Sequence, residues 1–137
     1  MSPVFRTPIA LRWSDLDAFN HVNNARFLTF LEQARIEWLQ SIGTPWVDEH
    51  SGPVVASATL NFRHPIAYPA RIAVELSTLK VGTSSVVIGH RIVAEDGTLH
   101  CDGQVVAVWV ERAGGRPTAL PPGVRAAAEA LLAAPSP

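Results

Sequence analysis

The chain has 137 residues and a single cysteine, Cys101. No disulfide can close within it, so an ordinary apolar core has to hold the fold, and a reducing compartment suits it. No apolar run reaches the roughly 20 residues that a membrane-spanning helix needs. The opening MSPVFRTPIALRW lacks the basic and apolar regions of a secretory signal. Charged residues make up only 17%, and the net charge is -1. That balance lacks the basic footprint of a general nucleic-acid binder. Together these absences predict a cytoplasmic protein with no membrane span and no nucleic-acid partner.

Catalytic signatures are mostly missing too. There is no phosphate-cradling glycine loop, no HExxH, no paired CxxC and no GxSxG. Five histidines (His21, His50, His64, His90 and His100) stand at spacings that suit no metal, and Cys101 has no thiol partner. The prediction is no metal site. Cys101 reads as a small apolar strand residue rather than a nucleophile.

What is present is one domain's worth of chain, 47% hydrophobic. A chain this long buries roughly two-thirds of its extended surface on folding. Residues 1–137 read as one domain, with 1–6 and 133–137 as loose tails. PIALRW reads as a short strand with Ile9, Leu11 and Trp13 on one face. From about Asn24 to Ile42 the apolar period becomes helical. Phe27, Leu28, Phe30, Leu31, Ala34, Trp38, Leu39 and Ile42 share an arc about half the circumference wide. Such an arc predicts a helix embraced by a sheet. Asn23 or Asn24 suits the N-cap and Gly43 the residue after the last turn. Glu32 and Arg35, at i,i+3, read as a structural ion pair, with Arg35 partly buried.

Strand signals follow in VVASATLNF, RIAVELSTL, SSVVIGHRIVA and HCDGQVVAVWVER, with RHPIAYP as a loop or bulge and EDGT as a turn. GVRAAAEALLAA reads as a short final helix. Strand, long helix, then antiparallel strands is an α+β layout with the helix laid on the sheet.

The stretch SDLDAFNHVNNARFLTFLEQAR crowds Asp15, Asp17, Asn20, His21, Asn23 and Asn24 ahead of that helix. Turn and cap chemistry accounts for one or two of these residues. The other reading is chemical. A helix N-terminus carries unpaired N–H groups and about half a positive charge, which favour an oxyanion. A carboxylate one turn upstream, at Asp17, can attack a carbonyl held there or activate water to do so.

The pattern D-x-x-x-H-V-N-N-x-x-[FY]-L followed by E-x-A-R resembles the hydroxybenzoyl-CoA thioesterase-like branch of the hot-dog fold. Asp17, His21, Val22, Asn23, Asn24, Phe27, Leu28, Glu32, Ala34 and Arg35 carry it. The run LNFRHPIAYPARIAVELSTLKVGTSSVVIGHRI and the ending VVAVWVERAGGRPTALPPGVR extend the likeness over roughly Ala10 to Ala126. The resemblance implies a long central helix wrapped by a curved antiparallel sheet, paired edge to edge in a homodimer or homotetramer. It implies hydrolysis of an acyl-CoA thioester without metal or redox cofactor. Asp17 would be nucleophile or general base, His21 its companion, and backbone N–H groups from Val22 to Asn24 the oxyanion hole.

The chain departs from related plant acyl-carrier-protein thioesterases, which carry Asn two residues after the Asp; here that residue is Phe19. Other bacterial members have Tyr or His near the positions of Asn23 and Asn24. Arg63, Lys80, Arg91 and Arg112 are candidates for the CoA phosphates, and Ser84 and Ser85 for its pantetheine arm. Phe19, Phe27, Phe30 and Trp46 read either as an acyl tunnel or as core. A non-catalytic acyl-CoA sensor, a carrier-protein thioesterase, a hot-dog hydratase and a partner subunit are the competing readings.

Overall fold

A computed structural model describes residues 3–133. The elements are β1 (Phe5–Ile9), a 3₁₀ turn (Trp13–Asp15), α1 (Asn24–Ser41), β2 (Ser51–Phe62), β3 (Ile72–Val81), β4 (Ser85–Ala94), β5 (Leu99–Glu111) and α2 (Pro122–Ala130). The strands form one antiparallel sheet in the order β1-β3-β4-β5-β2. Register slips at Ala56 and Leu79 mark bulges, which bend strands and increase their twist. With α1 packed along one face, this is the hot-dog arrangement.

Period-two patterning decides which face meets the helix. Ile72, Val74 and Leu76 of β3, Val86, Ile88 and Ile92 of β4, and Cys101, Val105, Ala107 and Trp109 of β5 form one core. Phe27, Phe30, Leu31, Ala34, Trp38 and Leu39 of α1 complete it. Each large side chain buried in this way contributes roughly 1.5–3 kcal/mol before entropy is counted. The alternate residues face outward and are largely polar in the middle of the sheet. Arg6, Glu75, Arg91 and Asp102 stand on neighbouring strands as a ladder of alternating charge. Arg6 and Arg91 both donate to Glu75, at 2.8 and 3.0 Å.

Several elements lie where the sequence puts them, and some do not. Helix α1 begins and ends within a residue of expectation, and Gly43 takes a φ of 78° just past it. The first strand is displaced. It starts at Phe5, inside the stretch expected to be loose, and stops at Ile9. Leu11 lies beyond it, and Trp13 opens a 3₁₀ turn with its side chain exposed. Of the tails read as loose, residues 1–2 and 134–137 lie outside the described residues. Leu28, on the rim of the helical arc, is exposed. It stands on the flank where α1 gives way to β2, whose residues from Val54 to Thr59 are exposed as well.

Under the middle of α1 the core is polar. His90 is 3% exposed, and neither ring nitrogen has a hydrogen-bond partner among the described residues. Its register neighbour on β5 is Gly103. A Cβ there would collide with the Thr59 carbonyl and lie 2.9 Å from His90 Nε2. Glycine at 103, with φ 146°, therefore makes room for the imidazole. Arg35 reaches the same region, and its Nη1 is likewise buried without a partner. The expected Glu32–Arg35 ion pair is not among the ion pairs of the described residues. Burial, reinforced by the Arg35 charge, lowers the His90 pKa from 6.5 to about 4.

His90 is therefore neutral in the folded protein across a window where the unfolded chain binds a proton. Stability contributed by this group is complete above about pH 6.5 and is lost as pH falls towards 4. The full effect of such a shift is roughly 3 kcal/mol. Urea midpoints measured between pH 4 and 7 should fall steeply for the wild type and less steeply for His90→Leu. Equal slopes would show that another group controls the acid limb.

Candidate active site

The segment between β1 and α1 is built around two carboxylates with opposite surroundings. Asp15 is fully buried. Its Oδ2 accepts the Arg12 backbone N–H at 2.9 Å, and its Oδ1 the Arg12 guanidinium at 3.0 Å, with Arg26 Nε at 3.8 Å. Burial alone would raise its pKa. The Arg12 hydrogen bonds, with the charges of Arg12 and Arg26, outweigh that and leave it lowered. The Asp15 carbonyl accepts the Asn23 N–H at 2.9 Å. One residue thus ties the 3₁₀ turn to the residue that caps the helix.

Asp17, two residues on, is exposed. Its Oδ1 accepts the N–H groups of Phe19 at 2.8 Å and His21 at 3.3 Å, which makes an Asx turn. Its own N–H donates to the His21 carbonyl at 2.8 Å. Leu16 pairs with Val22, and Asn20 takes the left-handed conformation at φ 62° to close the loop. Both backbone bonds fall on one carboxylate oxygen. Oδ2 carries none among the described residues. The loop from Asp17 to His21 is a short, cross-braced projection just before the helix, with His21 exposed on it.

The helix start has one donor to spare. The Val22 N–H donates to the Ile66 carbonyl at 2.8 Å, and the Asn23 N–H is held by Asp15. The N-cap is Asn23, whose Oδ1 accepts the Ala25 N–H at 2.9 Å. Arg26 N–H turns back to the Asn23 carbonyl. The Asn24 N–H has no partner among the described residues. Of the three backbone donors expected at this place, two are occupied by the fold and Asn24 alone stays open.

The outlying candidates are not gathered here. Arg63 is paired with Asp102 at 3.1 Å, and Arg91 with Glu75, both on the outer face of the sheet. Lys80 lies exposed near the end of β3, and Ser85 opens β4. Ser84 accepts the Trp109 N–H through its carbonyl. That end of the sheet is opposite to the end where β3 begins and where Ile66 and Ala67 meet the Asp17 loop. Arg112 borders a groove with Trp46 and Val47 at the same far end. Phe27 and Phe30 are core, Trp46 is half-buried and Phe19 is 82% exposed. Burial pushes the Cys101 thiol up to about 11, with help from the Asp102 charge, so it is not a nucleophile at neutral pH. Sequence reasoning missed the clamp of Asp15 by Arg12 and Arg26. Its only local signal is the three-residue spacing of Arg12 and Asp15.

No three His, Cys, Asp or Glu side chains among the described residues converge as a metal site requires. No helix among them is long and apolar enough to cross a membrane. The arrangement offers an accessible carboxylate oxygen and a free N–H at a helix start, the parts needed for attack on a carbonyl whose oxygen becomes negative.

Comparison with known proteins identifies the family. The chain is 33% identical over 104 residues to the long-chain acyl-CoA thioesterase FadM of Escherichia coli, covering 74% of this chain and 75% of that one. It is 27% identical over 121 residues to the acyl-CoA thioester hydrolase YbgC of Escherichia coli, covering 86% and 90%. A Thermus thermophilus thioesterase solved with coenzyme A and zinc is 37% identical and superposes with a TM-score of 0.78, over 93% of this chain and 98% of that one. The model of the thioesterase-like superfamily matches residues 11–128, and the chain belongs to that family.

Proposed function

We propose that the protein hydrolyses acyl-CoA thioesters, with Asp17 as the reacting carboxylate and the Asn24 N–H as the oxyanion donor. The observation that carries this reading is that, among the described residues, Asp17 Oδ2 and the Asn24 N–H both stay without a hydrogen-bond partner on the segment that leads into α1. The thioester carbonyl lies over the helix N-terminus. Asp17 adds to the carbonyl carbon directly, or takes the proton of a water that adds. The C–S bond then breaks and the thiolate of CoA leaves with the electron pair. In the direct route water afterwards cleaves the mixed anhydride and restores the carboxylate.

As the carbonyl oxygen gains charge, the Asn24 N–H and the positive end of α1 bind it more strongly than the neutral carbonyl. Only that difference accelerates the reaction. CoA thiolate is a fair leaving group, so a dedicated general acid is not required. The ring of the exposed His21 stands on the same braced loop, suited to orient the water. The exposure of Asp17 in a single chain fits a site completed by a second copy. Strand β2 is a long, open sheet edge, and such edges are templates for pairing. Self-association of β2 with its copy is part of the proposal.

Asp17→Asn should abolish thiol release from a panel of acyl-CoAs while circular dichroism and dimer mass stay unchanged; full turnover in this variant removes Asp17 from the reaction. His21→Ala should cost less. Binding without release in the wild type would instead indicate a sensor.

Asn24→Pro isolates the oxyanion donor. Asn24 is the first helical residue, where proline is well tolerated, and Asn23 at φ -61° and ψ 134° already has the extended shape that precedes proline. The substitution should leave thermal stability nearly unchanged and lower kcat by about 10²–10³, the usual cost of one oxyanion donor. Unchanged kcat would move the oxyanion elsewhere.

A further inference from the structure

Two histidines outside the proposed chemistry meet where β2 leaves the sheet. The register of β2 with β5 ends at Phe62 and Cys101. The Arg63 N–H adds one more bond to the His100 carbonyl at 2.8 Å, and the His64 N–H a longer one at 3.4 Å. Beyond that point side chains join the two segments. His100 Nδ1 lies 3.1 Å from the His64 carbonyl, and His64 Nδ1 lies 2.9 Å from the Leu99 carbonyl. A carbonyl oxygen only accepts, so in both rings Nδ1 carries the proton and donates. One contact runs from β5 to the departing chain and the other runs back.

The chain held in this way is the one that meets the candidate site. Two residues after His64, the Ile66 carbonyl accepts the Val22 N–H at 2.8 Å, and Ala67 pairs with His21. The carbonyls of His64 and Ile66 are thus committed to different elements, the first to β5 and the second to the loop ahead of α1. Pro65 stands between them and has no N–H to steady the segment. The fully buried Ile66 side chain fixes where the segment lies.

We propose that His100 is a positioning residue for the hydrolytic site: by holding the His64 carbonyl it aims the Ile66 carbonyl at Val22, and so keeps the Asp17 loop in place beside the Asn24 N–H. The inference rests on the acyl-CoA reading above. His100 acts through the backbone of residues 64–67, not on the substrate. Burial decides between the two rings. His100 is 8% exposed and its bond is partly buried, so a ring without that N–H leaves the carbonyl short of a partner. The bond from His64 is exposed, and water replaces it at little cost. A segment that turns releases the Val22 N–H as a second open donor and shifts the acid relative to the oxyanion donor.

Substitution at His100 tests this. His100→Phe keeps a ring of similar size and removes the donor. It should lower kcat by about 10–100-fold, the cost of a small misplacement of reacting groups. KM should change by less than about twofold, because the substrate's own contacts are intact. The amide nitrogen of asparagine falls near the place of an imidazole Nδ1, and that of glutamine near Nε2. His100→Asn should therefore recover most of the lost kcat, and His100→Gln should not. His64→Phe should cost less than His100→Phe.

Amide hydrogen exchange gives a readout apart from turnover. The Val22 N–H should exchange about tenfold faster in His100→Phe and near the wild-type rate in His100→Asn, with Val105 in the middle of β5 unaffected. Unchanged kcat in a folded His100→Phe overturns the proposal, and so does unchanged Val22 exchange. Equal losses in the Asn and Gln variants also overturn it, by making the ring a packing element. If His100→Phe does not fold, the contrast between Asn and Gln decides alone. Full turnover in Asp17→Asn defeats the hydrolytic reading instead, and Val22 exchange then still decides whether His100 aims the segment.

Discussion

Asp15 has no contact with water, and a carboxylate so placed has to be surrounded by donors and positive charge. Arg12 supplies both a backbone N–H and a guanidinium, and Arg26 adds its charge from the first turn of α1. The carbonyl of the same residue holds the N–H of the N-cap Asn23. Removing one partner of such a group leaves a buried charge uncompensated, which is why these contacts act together. Everything proposed for the site depends on this clamp. It fixes where the helix begins, how the Asp17 loop leaves it, and which backbone donor remains free.

The division of labour between the two carboxylates follows from their surroundings. Asp15 is buried, multiply bonded and structural. Asp17 is two residues away, exposed, and bonded through one oxygen only. A carboxylate that is to react cannot have both oxygens committed, and one that is to be buried cannot have them free. The Asx turn at Asp17 is compatible with the proposed chemistry, because it engages one oxygen and leaves the other open.

The sheet has an asymmetry that bears on assembly. On the β1 side, a hydrogen bond ties strand to helix, with Thr7 donating to Glu37 at 2.6 Å. On the β2 side the helix stops short. Val54 and Val55 are 48% exposed there, and a cavity opens beside them. An apolar strand with a free edge and an uncovered face is what the proposed self-association would cover.

The residues by themselves determined a good deal. The switch from a period near 3.6 to a period of two marked α1 and the four long strands, because one-sided burial leaves those periods in any sequence. The polar crowd from Asp15 to Asn24 marked the candidate site, because so many donors and acceptors exceed what a turn requires. Tertiary structure alone decided the rest. The strand read at PIALRW ends at Ile9, and Trp13–Asp15 form a 3₁₀ turn in which Asp15 is held by Arg12 and Arg26. Val22 and Asn23 surrender their N–H groups to Ile66 and Asp15, a distant loop and a nearby turn that no local pattern foretells. His90 and Arg35 meet under the helix only because Gly103, on another strand, makes room. Periodicity records which face of an element is buried; it carries no record of which neighbour buries it, and hydrogen-bond accounting at a site depends on the neighbour.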